Sequence, residues 1–87
     1  DMAAVREHIL GIPGVSGAHD LHAWTLTSGL PVLSVHVVVA DDVLADGGAA
    51  RILDALADCF DAHFDVEHCT FQLEPAGRAD HEFRTHA

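Results

Sequence analysis

Lysine is missing from this 87-residue chain, and so is tyrosine. Four arginines face fourteen acids, giving a formal net charge of −10 with the histidines neutral. Such a surface repels phosphate backbones and anionic lipid and attracts cations, which argues against nucleic acid as a partner. Cysteine is scarce: Cys59 and Cys69 stand alone, outside any C-x-x-C pair. A disulfide framework is therefore not expected, and reduced, buried thiols in a cytosolic compartment are. The longest apolar run, residues 37–40 and their neighbours, is far too short to cross a bilayer. No signal-peptide pattern is visible, and the chain opens at Asp1 one residue before a helix-like pattern, so a domain of a longer protein is expected. Ser16, Ser28 and Ser34 lie in no nucleophile-elbow context, and there is no glycine-rich phosphate loop, so catalysis finds little support.

Histidine, by contrast, is abundant. Eight imidazoles are dispersed through a chain long enough for one domain with a real core, since nearly half its residues are apolar. Histidine is the commonest metal ligand and the side chain that titrates near neutral pH. Together with the carboxylates it suits a borderline dication such as zinc.

The apolar pattern sets out the elements. Residues 2–10 predict a short helix, with Met2, Val5 and Ile9 on one stripe, ended by Gly11 and Pro13-Gly14. Residues 15–27 predict a strand, 28–31 a turn, and 32–40 the strongest strand of the chain. DDVLADGG reads as a loop, with Asp46 a candidate N-cap for a helix from about Gly48 to Phe64. That helix puts Ile52, Leu53, Leu56, Ala57, Phe60 and Phe64 on its apolar face and Arg51, Asp54, Asp58 and Asp61 on its wet one. Residues 66–74 predict a third strand. The order α-β-β-α-β implies an α+β two-layer sandwich: a three-stranded sheet with both helices on one face, over residues 1–75. Residues 76–87 are polar and unpatterned and predict a mobile tail.

Strand parity then sorts the histidines. Leu33, Val35, Val37 and Val39 oppose Ser34 and His36, and Cys69, Phe71 and Leu73 oppose His68, Thr70, Gln72 and Glu74. His36 and His68 are thus expected on the helix-free face with Glu74. An imidazole interrupting a valine run needs a partner, and His19, His36, His68 and Glu74 together point to a metal site. His22 has the opposite parity to His19 on a flat strand and is assigned a structural role. His63 suits a helix C-terminus, where the dipole favours a cation. His8 is expected to be exposed, and His81 and His86 lie in the tail.

GVSGAHDLHAWTLTSGLPVLSVHVVV, then a helix, then HCTFQLE, resembles the cytoplasmic C-terminal domain of cation diffusion facilitator transporters, most closely the bacterial zinc, cobalt and cadmium efflux branch. The resemblance covers roughly residues 2–75. It implies a ferredoxin-like, metallochaperone-like fold and a parent antiporter embedded in the membrane, with this domain on the cytoplasmic side of the inner membrane. This chain would be its regulatory arm, without the transmembrane part. It also implies a V-shaped homodimer that binds zinc-type ions at the protomer interface and thereby favours transport. By position, His19 matches the first-strand ligand, His36 the second-strand one, and His68 and Glu74 the third-strand pair; Asp46 falls near a helix-start ligand of some members. Zinc is the default ion, and cobalt, cadmium, nickel or iron would suit similar ligands. The rival expectation is a metal-independent homodimerisation module, with the histidines acting at most as pH sensors. A zinc hydrolase comes third, for want of a general base in a cleft.

Overall fold

The computed structural model describes residues 1–25, 29–66 and 68–77. The elements run α1 (Met2–Leu10), β1 (Val15–Thr25), β2 (Pro31–Val39), α2 (Asp41–Ala45), α3 (Ala49–His63) and β3 (His68–Pro75). The sheet order is β1-β2-β3, with β1 and β2 antiparallel and β2 and β3 parallel. The parallel pairing follows from the long return through α2 and α3, since parallel neighbours need a crossover.

Local chemistry sets the ends of α1. The Asp1 carboxylate accepts from the Ala3 N–H at 3.0 Å, satisfying one of the orphan donors of the first turn. The Gly11 N–H closes the other end on Glu7 and His8. Beyond it Gly14 takes φ +97°, a conformation open to glycine, and its carbonyl accepts from Ala40 at the far end of β2.

The core lies between the helices and one face of the sheet. Val5 and Ile9 of α1, and Ile52, Leu56 and Phe60 of α3, pack with Leu33, Val35, Val37 and Val39 of β2 and with Ala18 of β1. Both long helices therefore cover the same face, as the sequence pattern implied. The buried stripe of α3 is narrower than its apolar residues suggest, because Leu53 and Ala57 are exposed. Replacing Leu56, fully buried, by alanine should lower the unfolding free energy by about 2–5 kcal/mol. The same truncation at exposed Leu53 should cost less than about 0.5 kcal/mol. Urea denaturation of the two variants measures the difference.

Between β2 and α3 the structure departs from the expected loop. Asp41 and Asp42 open the five-residue helix α2, where acids favour a helix N-terminus. Asp46 is its C-cap, and α3 starts at Ala49 with Gly48 as its N-cap, so Asp46 does not cap the long helix. Gly48 is required by packing: a Cβ there would stand 2.6 Å from the Val43 carbonyl oxygen. The first strand is described only to Thr25, so the expected extension over 26–27 and Ser28 of the turn lie outside the described residues. Most of the expected tail, with His81 and His86, does so too.

Candidate metal centre

The helix-free face of the sheet carries the chemistry. In register, His19 of β1 stands opposite His36 of β2, which stands opposite Gln72 of β3. Glu74, two residues beyond Gln72, points to the same face. It is 1% exposed and is the only buried polar or charged side chain among the described residues.

A buried carboxylate is costly unless it is paired, and Glu74 is paired twice. Its Oε1 lies 2.6 Å from His19 Nε2 and its Oε2 lies 2.9 Å from His36 Nδ1. The Gln72 amide also donates to Oε2 at 3.4 Å. The two imidazole rings meet edge to face with centroids 5.0 Å apart. His19 is 30% and His36 23% exposed, so the two rings lie between a buried acidic floor and solvent.

A bulge in β1 adds a fourth group. The strand takes three steps from His19 to His22 while β2 takes two from His36 to Ser34. Asp20 absorbs the extra residue with φ 51°, a left-handed conformation that aspartate tolerates better than most residues. Its carboxylate lies 3.2 Å from His19 Nδ1 and 3.9 Å from His36 Nδ1. Asp20 is not among the residues singled out from sequence, although the bulge makes it part of the cluster.

The bulge also overturns the parity assigned to His22. Because His22 pairs with Ser34, it lies on the same face as His19, two rungs of the ladder away. Asp20, His22, Ser34, His36, Thr70 and Gln72 line one groove on that face. A flat strand would have sent His22 to the other side.

His19 has a carboxylate at each ring nitrogen, and only the imidazolium can donate to both. Burial, the largest single influence, lowers its pKa. The hydrogen bond and charge of Glu74, followed by those of Asp20, outweigh burial, so the net shift is upward from 6.5.

The residues singled out from sequence do not all converge. One ligand atom each from His19, His36 and Glu74 lies within 4.8 Å of the others, a spacing one cation can bridge. His68 has the expected face but stands opposite Val32, four residues along β3 from Gln72 and so about 13 Å from the cluster's rung. Asp46 is exposed at the end of α2 and is not brought to the cluster. His8, expected to be exposed, is half-buried against His63 and Phe64.

The donor set fits a borderline dication. Two imidazoles and a carboxylate are the N and O ligands zinc takes, and Asp20, hydrogen-bonded to the other nitrogen of the His19 ring, would fix that ring's orientation. The direct acid–imidazole contacts are shorter than the separation of about 3.4 Å between two ligands at a tetrahedral ion. Binding an ion here therefore exchanges these hydrogen bonds for coordination at the nitrogens that now face Glu74.

Known proteins share this architecture. The metal-bound C-terminal domain of the CzcD transporter from Cupriavidus metallidurans superposes with a TM-score of 0.73 at 42% identity, over 85% of this chain and 97% of that one. A solved C-terminal domain of MamM, at 21% identity and a TM-score of 0.65, covers 86% of this chain and 99% of that one and shares the fold. Residues 1–76 match the family model described as cation efflux protein, cytoplasmic domain. The chain belongs to this family, the cytoplasmic domains of cation diffusion facilitators. Among full-length relatives, the CzcD metal cation efflux protein of C. metallidurans is 42% identical over 82 residues, 92% of this chain and 25% of that protein. The cadmium, cobalt and zinc/H(+)-K(+) antiporter of Bacillus subtilis is 38% identical over 74 residues, 85% of this chain and 23% of that protein. The human proton-coupled zinc antiporter SLC30A2 is 35% identical over 85% of this chain and 19% of its own length. The chain thus spans a quarter or less of these relatives, which are named as transporters and antiporters. Among the described residues no helix is long and apolar enough to cross a membrane.

Proposed function

We propose that this chain is the regulatory cytoplasmic arm of a divalent-cation efflux antiporter, working as a homodimer on the cytoplasmic side of the membrane. In this reading His19, His36 and Glu74 hold a zinc-type ion, with Asp20 orienting His19 and Gln72 orienting Glu74. One observation carries it: a carboxylate buried to 1% exposure, bridging two half-exposed imidazoles on the sheet face that no helix covers. A purely structural acid would not need two titratable partners open to solvent. The names of the relatives, zinc, cobalt and cadmium carriers among them, support the class of ion.

The dimer reading rests on the same face. Trp24, 49% exposed, pairs with Val32 and lies on the helix-free side towards the hairpin end, with Leu30 exposed nearby. Large exposed apolar groups beside a polar groove suit a protein partner. His22, in the groove, and His68, further along β3, are placed where a second protomer could share them. This patch also supports the second reading, a dimerisation module that needs no metal.

Calorimetric titration of the chelator-treated domain with zinc separates the two. A sub-millimolar binding event that is lost in His36→Ala is expected. An absence of binding by the wild type, with the dimer intact in sedimentation, would leave the metal-free module.

A further inference from the structure

On the other side of the sheet, in the helix layer, a second group of ligand-type side chains converges. Cys59 and His63 of α3 are four residues apart, hence on one face of that helix, and His8 of α1 meets them. Cys59 Sγ lies 3.6 Å from His8 Nδ1, and the His8 and His63 rings have centroids 4.5 Å apart. One ligand atom from each of the three lies within 4.8 Å of the others. We propose that His8, Cys59 and His63 form a second metal site, of N₂S composition, that takes a thiophilic dication of the zinc or cadmium type and ties α1 to α3.

Three features support the assignment. Zinc–sulfur and zinc–nitrogen bonds of about 2.3 and 2.0–2.1 Å place tetrahedral S and N ligands about 3.6 Å apart. That is the separation already present between Cys59 and His8. His8 and His63 both sit in the last turns of their helices, where unpaired carbonyls leave partial negative charge that favours a cation. Finally, His8 and Cys59 are half-buried while His63 is exposed, so the cluster is shielded on one side and keeps a path to solvent. Phe64 packs edge-on against His8 and limits its ring's freedom. On binding, the Cys59 thiol proton passes to solvent and the thiolate takes its place at the ion; three protein ligands leave a fourth position for water.

The sulfur distinguishes this site from the one on the opposite face, whose ligands are nitrogen and oxygen only. Cobalt(II) reports the difference through a thiolate-to-cobalt charge-transfer absorption. Chelator-treated protein is titrated with cobalt in the wild type and in His36→Ala, which lacks a ligand of the first site. The band should appear in both and saturate at one equivalent per protomer in His36→Ala. It should vanish in Cys59→Ser, persist in Cys69→Ser, and need at least about tenfold more cobalt in His8→Ala and in His63→Ala. Apo melting of each variant by circular dichroism confirms that it is folded. No band in the wild type, a band that survives Cys59→Ser, or one indifferent to both histidine substitutions would overturn the site. Loss of one of two calorimetric zinc-binding events in His36→Ala, with the other event and the cobalt band retained, supports two independent sites.

Discussion

Removing both His19 and His36 should destabilise the metal-free domain far more than removing Glu74. The double variant His19→Ala/His36→Ala removes both imidazoles from a carboxylate that is 1% exposed in the wild type, leaving it the Gln72 amide and, close by, the like charge of Asp20. Stranding one member of a buried ion pair costs about 3–5 kcal/mol. Glu74→Ala instead leaves two partly exposed rings, which can turn to water. Adding Glu74→Ala to the double variant should therefore restore most of the lost stability, because nothing charged is then left buried. All three proteins should fail to bind zinc at the first site. Urea denaturation at neutral pH measures the apo series, and calorimetry the metal. Equal stabilities across the three variants would show that the imidazoles are not what makes the buried acid tolerable.

The sequence exposed the outline of this arrangement but not its assembly. The alternation in β2 predicted which residues face the helices, because a residue period of two survives any register. It could not predict which rung of β3 would lie beside His36. His68 has the right parity, yet the pairing puts Gln72 and Glu74 at the cluster and leaves His68 four residues away. His22 was misplaced for a different reason. Parity reasoning assumes a flat strand, and one extra residue in a bulge reverses it. The available signal was Asp20, a residue that tolerates the left-handed conformation, between two histidines in a strand otherwise rich in β-formers. The short helix α2 is not legible in the sequence because five residues give no period to detect, although its paired acids at the start are a cue. The His8–Cys59–His63 group joins residues more than fifty positions apart, so only the i, i+4 spacing of Cys59 and His63 was visible beforehand.

Zinc and pH should move the stability of this domain in opposite directions. Without metal, the raised pKa of His19 means that its pairing with Glu74 and Asp20 stabilises the fold fully below the ordinary value near 6.5 and is lost as pH rises through the higher folded value. With metal the sign reverses, since coordination needs the imidazoles unprotonated. Protons held more tightly by His19 compete with the ion, so the zinc effect should weaken from above the usual histidine range and disappear below about pH 6. At neutral pH, zinc at about a hundred times its dissociation constant adds about 2.7 kcal/mol to the folded state. For a domain of this size each kcal/mol moves Tm by about 4–8 °C, so a rise of roughly 10–20 °C is expected. Coupling to dimer geometry requires more than binding: the ion must prefer one arrangement of the two arms, because equal affinity for both shifts nothing. A formal charge of −10 on each chain favours arms held apart, and dications on the interface side relieve part of that repulsion. Small-angle scattering with and without zinc at pH 7.5 should therefore show a more compact dimer. His36→Ala should remove the compaction and most of the Tm rise. A zinc-dependent Tm rise with unchanged dimensions would keep the ion at His19, His36 and Glu74 but end its role as a switch between open and closed arms.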